Sequence, residues 1–168
     1  LGAAYMGLHL LEREKRACGG QPDPKPKFEG HEYILGRQQK PEARTDIIER
    51  LAEAGIVPTS MIDITDGLAS ETLHLCKSSG CGARIYLDRL PIARQTHDMA
   101  EELHADPVVA ALNGGQDYEL LFTVPLSKQQ EIFALGVDVI GHVTAAGTGA
   151  MLVTPDGSEI ALKAPGWK

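Results

Sequence analysis

Apolar residues recur at helical spacing in several stretches of the chain and form short runs between them. The clearest amphipathic pattern is 43–54, where Ile47, Ile48 and Leu51 share one face and Gly55 follows. Short apolar runs bounded by glycine and proline predict strands. The pattern predicts helices at 3–17, 32–39, 43–54, 67–79, 93–103, 106–112 and 127–135, and strands at 60–64, 84–87, 119–124, 137–144, 150–154 and 159–162.

Helices and strands alternate through the middle of the chain, and its end is rich in strands. The tripeptide Pro155-Asp-Gly157 is a turn signal that predicts a hairpin between the last two strands. This order is typical of an α/β (α+β) domain in which helices are layered on a mixed sheet.

A polar segment with three prolines, 21–27, follows the first predicted helix and is typical of an extended linker. We therefore interpret residues 1–28 as the end of a preceding domain plus a linker, and residues 29–168 as the domain itself. The first residue is Leu1, so we expect the natural chain to begin upstream.

Composition narrows the classes of partner. The chain has 168 residues, of which 43% are hydrophobic and 23% charged, as in globular proteins. A net charge of −7 argues against binding nucleic acid and suggests that anionic phosphates would be met through metal cations. No apolar run reaches the roughly 18 residues of a membrane span. The three cysteines form no CxxC pattern, which favours reduced thiols in the cytoplasm.

The segment 60–70 carries the first candidate site. An apolar run leads into Asp63, Thr65 and Asp66, and Gly67 opens a predicted helix. Ligands of open α/β sheets often lie beyond the carboxyl ends of strands, and carboxylates suit Mg²⁺. An ordinary helix cap formed by one of these polar side chains is the alternative, and spacing alone does not decide between them.

The segment 112–122 and the end of the chain carry the other candidates. Two adjacent glycines precede Gln116 and Asp117. These glycines either let a ligand approach the backbone closely or simply form a turn. Trp167 is the only tryptophan, and it either stacks on a flat ring or packs on the domain surface. No P-loop, GxGxxG, HExxH or GxSxG pattern occurs.

Taken together, these segments resemble thiamine-monophosphate kinases, members of the superfamily of aminoimidazole-ribonucleotide synthetase and selenophosphate synthetase. Residues 61–68 (MIDITDGL) are similar to the family's IDISDGL, and residues 113–123 (NGGQDYELLFT) to its GGEDYELLFT. Residues 81–88 and 140–144 resemble the segments that separate and follow these motifs, and residues 1–4 resemble the end of a TGDLGAA stretch.

The resemblance implies a transfer of the ATP γ-phosphate to thiamine monophosphate, giving thiamine diphosphate. It implies that Asp63 and Asp66 bind Mg²⁺, that Thr65 contacts ATP, and that Gln116 and Trp167 contact the thiamine substrate. It also implies the superfamily's C-terminal domain, with partial ferredoxin-like topology.

Two departures from the family qualify this expectation. Gln116 replaces an acidic residue of the motif, so a carbonyl acceptor is kept while the charge is lost. The chain lacks the N-terminal domain that in this family supplies further Mg²⁺-binding aspartates and the contacts of a homodimer. We therefore expect the isolated chain to be inactive. The alternatives are a related synthetase that acts on another small molecule and a non-catalytic domain for binding or assembly.

Overall fold

The computed structural model describes residues 1–19 and 25–164. Its α-helices in these ranges are α1 (Ala3–Cys18), α2 (Glu32–Gln39), α3 (Thr45–Glu53), α4 (Leu68–Ser79), α5 (Arg94–Leu103), α6 (Pro107–Asn113) and α7 (Gln129–Ala134). Its strands there are β1 (Ser60–Asp63), β2 (Gly82–Tyr86), β3 (Leu120–Thr123), β4 (Gly141–Thr144), β5 (Ala150–Val153) and β6 (Glu159–Ala161). The predicted mixture of helices and strands is confirmed.

The strands form two sheets. A four-stranded sheet has the order β4-β2-β5-β6, in which β2 and β5 are parallel and the other neighbours antiparallel. The predicted mixed sheet and the predicted β5–β6 hairpin are therefore confirmed. Strands β1 and β3 form a separate antiparallel pair, which holds the ends of the two candidate segments together.

Two predicted elements differ from the structure. The strand predicted at 137–144 begins only at Gly141, because its partner β2 ends at Tyr86 and the chain then turns into a short 3₁₀-helix, Leu87–Arg89. The helix predicted at 127–135 consists of a 3₁₀ turn, Leu126–Lys128, followed by α7.

The main apolar core lies between α4 and the four-stranded sheet, where Leu68, Ile85 and Leu152 are buried. This packing fixes the start of α4 beside the end of β1. A second core joins α1 to α2, α5 and α6 through buried residues such as Met6 and Ile34. Helix α1 thus packs on the body of the fold, while the domain boundary at residue 28 stays a prediction.

Candidate functional site

The two candidate segments, 60–70 and 112–122, lie side by side although they are distant in the sequence. The backbone N–H of Gln116 donates a hydrogen bond to the carbonyl of Thr65, with an N···O distance of 2.7 Å. The antiparallel pairing of β1 with β3 continues this contact. The structure therefore brings together the loops that carry the predicted metal, ATP and substrate residues.

Two glycines make this close approach possible. Gly67 has φ +109°, and a Cβ there would lie 2.6 Å from the carbonyl oxygen of Leu112. Gly115 has φ +72°, and a Cβ there would overlap the carbonyl oxygen of Thr65. Both positions have positive φ and no room for a side chain, so glycine is required at the junction of the two segments.

Asp63 and Asp66 are both exposed, and neither carboxylate has a hydrogen bond or ion pair with the described part of the chain. The N-cap of α4 is Gly67, and no side chain caps that helix. The capping alternative is therefore wrong for this turn. Two unpartnered carboxylates are hard oxygen donors of the kind that Mg²⁺ takes together with phosphates and water, so the donor set fits that ion.

Two carboxylates alone do not make a complete metal site. Within residues 1–19 and 25–164, no group of three or more histidine, cysteine, aspartate or glutamate side chains is placed to hold a metal ion. A protein site for Mg²⁺ is commonly completed by substrate phosphates and by waters.

Glu71, in the first turn of α4, is a site residue that the sequence analysis missed. Its side chain is only 2% exposed. Its Oε1 accepts hydrogen bonds from the Thr65 hydroxyl (3.2 Å) and from the Asp66 backbone N–H (3.0 Å). An acidic residue in the first turn of a helix following a polar turn is the signal that could have identified it.

Gln116 is half-buried and has φ +58°, which is uncommon for a residue other than glycine. Its side-chain carbonyl accepts a hydrogen bond from the amide of Gln38 on α2, at 3.3 Å. The predicted substrate residue is therefore held by α2, and its own amide N–H₂ remains as a donor.

An arginine network fixes the rest of the Gln116 loop. Arg37, also on α2, donates to the backbone carbonyl of Asp117 (2.5 Å) and to the carboxylate of Glu119 (2.8 Å). Arg44 donates to the other carboxylate oxygen of Glu119. Hydrogen bonds to charged groups are stronger than neutral ones, so these contacts tie the loop to the helical layer.

Asp117 anchors the same loop from inside the protein. Its carboxylate is 2% exposed and accepts the backbone N–H of Gly2 at 2.9 and 3.0 Å. Burial raises the pKa of this carboxyl, while the bond from Gly2 works in the opposite direction. Residues at the start of α1 therefore position the loop that carries Gln116.

A large cleft of about 1180 Å³ opens between the β1–β3 pair and the four-stranded sheet. Its lining includes apolar side chains such as Leu75, Ile85 and Ile140. None of the candidate residues Asp63, Thr65, Asp66 and Gln116 lines it. The cleft is therefore distinct from the polar junction of the two segments.

Trp167 lies outside the described residues, and its predicted contact with substrate stays a prediction.

None of the helices in the described part of the chain combines the length and the apolar character needed to cross a membrane.

The family model of the AIR synthase related protein, C-terminal domain, matches residues 6–154. The chain is 37% identical over 176 residues to the thiamine-monophosphate kinase of Escherichia coli (strain K12), covering 99% of this chain and 48% of that protein. It is 31% identical over 169 residues to the thiamine-monophosphate kinase of Aquifex aeolicus (strain VF5), covering all of this chain and 48% of that protein.

The fold is similar to that of solved relatives. A structure of AaThiL complexed with AMPPCP and TMP has a TM-score of 0.74 and 30% identity, and the match covers 100% of this chain and 48% of that one. The chain thus spans about half the length of the curated relatives it matches.

Proposed function

We propose that this chain, which belongs to the family of AIR synthase related protein C-terminal domains, is the C-terminal half of a cytoplasmic kinase that converts thiamine monophosphate to thiamine diphosphate with ATP and Mg²⁺. Its similarity along nearly its whole length to thiamine-monophosphate kinases supports this assignment. The observation that carries it is the junction where the unpartnered carboxylates of Asp63 and Asp66 stand beside the Gln116 loop.

In this proposal each residue of the junction has a separate role. Asp63 and Asp66 would hold Mg²⁺, which when bound reduces the repulsion between the two phosphate groups and stabilises charge on the phosphoryl group in transfer. Thr65 would contact ATP, and Gln116 and Trp167 would contact thiamine monophosphate. The attacking group is a phosphate oxygen that is already ionised near neutral pH, so the protein has to position it rather than deprotonate it.

The other half of the protein is part of the proposal. Two aspartates do not form a complete metal site in the described residues, so we expect the upstream half to supply further ligands. We also propose that the whole protein is a homodimer. The isolated chain should bind ATP weakly and show no turnover.

The test is thiamine diphosphate formation by the whole protein, titrated with Mg²⁺ at saturating ATP. Asp63→Asn removes a charge from the proposed metal site, and we expect turnover to fall at least tenfold and the Mg²⁺ requirement to rise. Asp88→Asn is the matched control, because Asp88 is also exposed and without a side-chain partner among the described residues. Equal activity in both variants would contradict the role of Asp63.

Gln116 favours a second candidate, a domain that binds or assembles without catalysis, because the charge of the family motif is missing there. That candidate predicts no Mg²⁺-dependent nucleotide binding even in the whole protein. The variant Gln116→Glu separates the two, since a kinase weakened by the neutral side chain should gain affinity for thiamine monophosphate, whereas a non-catalytic domain should stay inactive.

A further inference from the structure

The C-terminal end of α4 brings two cysteine residues together. Gly80 ends the helix in the left-handed conformation (φ +62°), and the backbone N–H of Cys81 then donates to the carbonyl of Cys76 at 3.0 Å. This bond between residues five apart is characteristic of the Schellman motif, in which the side chains of the two joined residues frequently contact each other. Apolar side chains usually make that contact, whereas here both positions carry a thiol.

The two thiols share one apolar environment. Cys76 belongs to the core cluster beneath α4, and Cys81 packs against the same cluster. Both residues line the large cleft between the β1–β3 pair and the four-stranded sheet. Cys76 is 9% exposed and Cys81 is half-buried. A small solute in the cleft therefore reaches the thiol of Cys81 more easily than that of Cys76.

The backbone geometry of this pair suits a disulfide. A disulfide usually joins residues whose Cα atoms are about 4.4–6.8 Å apart. Two residues joined by backbone hydrogen bonds lie within that range, as hydrogen-bonded pairs of antiparallel strands with Cα atoms about 5.5 Å apart illustrate. Cys76 and Cys81 therefore need little backbone movement to be bridged.

We infer that Cys76 and Cys81 are a reversible thiol–disulfide pair that hydroperoxides oxidise, with Cys81 as the reacting thiol and Cys76 as the resolving thiol. Cys81 loses its proton and its sulfur attacks an oxygen of the hydroperoxide ROOH, so that the O–O bond breaks, a sulfenic acid forms and the alkoxide leaves as ROH after taking up a proton. The sulfur of Cys76 then displaces the sulfenic hydroxyl group, which leaves as water with the proton of Cys76. Two thiols and one hydroperoxide thus give one disulfide, one alcohol and one water. This pair is independent of the proposed function.

The acidity of Cys76 agrees with these two roles. Burial, and after it the neighbouring Cys81 thiol, raises the pKa of Cys76 to about 11. The thiolate is the nucleophile in such reactions, so Cys76 is a poor starting point for oxidation at neutral pH. Its contact with Cys81 compensates in the second step, because groups held side by side react at a high effective concentration.

The disulfide would fasten the far end of α4. The helix starts at the junction beside Gly67, and it ends at Gly80, just before β2 begins at Gly82. A bond between Cys76 and Cys81 would join α4 covalently to the start of that strand. All three cysteines of the chain are free thiols in the structure, which is the reduced state of such a pair. Disulfides that form in reducing compartments are usually transient or redox-sensing.

The test is peptide mapping of the whole protein after treatment with hydrogen peroxide, with the remaining thiols blocked before digestion. Trypsin cleaves after Lys77, between the two cysteines, and so separates them into peptides 51–77 and 78–84 unless a disulfide joins them. We expect the joined peptides in more than half of the protein, and their loss after dithiothreitol. Cys18, which is half-buried like Cys81, is the internal control and should join neither peptide.

Cys76→Ala separates the two roles. Without a resolving thiol the sulfenic acid of Cys81 should persist, so its labelling by dimedone, a reagent for sulfenic acids, should rise at least fivefold over the parent. Cys81→Ala should leave Cys76 without a dimedone label at pH 7. The matched control Cys18→Ala should form the joined peptides 51–77 and 78–84 to the same extent as the parent.

Three results would overturn the inference. The first is oxidation of Cys81 to the sulfinic or sulfonic acid without the joined peptides. The second is a disulfide from Cys81 to any cysteine other than Cys76 of the same chain. The third is equal dimedone labelling of Cys81 in the parent and in Cys76→Ala. The first two are measured on the unmodified protein, so they decide the question even if a variant does not fold.

Discussion

Gly115→Ala tests whether the close approach of the two segments is a requirement of the fold. Gly115 has φ +72°, and an alanine in this left-handed region costs about 1–2 kcal/mol. The new Cβ would also overlap the Thr65 carbonyl and lie 3.2 Å from backbone carbons of Asp66. Relieving that overlap separates the Gln116 N–H from the Thr65 carbonyl, and the loss of such a hydrogen bond costs about 0.5–1.5 kcal/mol. The expected total is about 1.5–3.5 kcal/mol.

Gly55→Ala is the matched control. Gly55 has a similar φ of +65°, but a Cβ there meets nothing within 4 Å, so only the backbone term of about 1–2 kcal/mol applies. The assay is urea denaturation of both variants and the parent, followed by circular dichroism. We expect Gly115→Ala to lose the larger amount of unfolding free energy. Equal losses would refute the reasoning, because the Thr65 contact would then place no constraint on residue 115.

Three further predictions concern other parts of the fold. Asp106 accepts hydrogen bonds from first-turn amides of α6, so Asp106→Ala should lower the free energy of unfolding by about 1 kcal/mol in urea, and Asp106→Asn should lower it less. Burial raises the pKa of the Cys76 thiol to about 11, so alkylation should modify the more open Cys81 first, as followed by peptide mass spectrometry. The rate of Cys76 alkylation should still rise with pH above pH 9. Modification of Cys76 before Cys81 would contradict this prediction. Arg37 donates hydrogen bonds to the carbonyl of Asp117 and the carboxylate of Glu119, so Arg37→Ala should lower the free energy of unfolding in urea by about 1.5–3 kcal/mol. Arg37→Lys should restore only part of this free energy, because an ammonium group lacks the planar, two-pronged geometry of a guanidinium. Full restoration by lysine would show that the positive charge alone matters.

Local signals in the sequence were sufficient for most helices and for the position of the candidate loops. The helix at 43–54 has a regular apolar face and a glycine stop, and the structure confirms it as α3 with ends shifted by one or two residues. Asp63 and Asp66 were identifiable because they follow an apolar strand and precede a glycine that starts a helix. These features depend on neighbours within a few positions along the chain.

Contacts between distant elements left no such signal. Gln38 reaches Gln116 and Arg37 reaches Glu119 from a helix about 80 positions earlier, and nothing in 32–39 distinguishes these side chains from ordinary surface residues. The early end of β2 shortened the strand predicted at 137–144, because a strand forms only where a neighbour continues to supply backbone partners.

The described chain combines a hydrogen-bonded junction of two loops with two exposed carboxylates, those of Asp63 and Asp66. The junction is ordered by the chain itself, since Glu71 and the network around Arg37 and Asp117 hold it from its buried side. The two exposed carboxylates, in contrast, have no protein partner among the described residues. Both belong to a chain whose net charge is −7, so a cation bound near them would be attracted electrostatically. This arrangement suits the proposed function, in which ATP would bring Mg²⁺ to Asp63 and Asp66 and the upstream half of the protein would supply the remaining metal ligands.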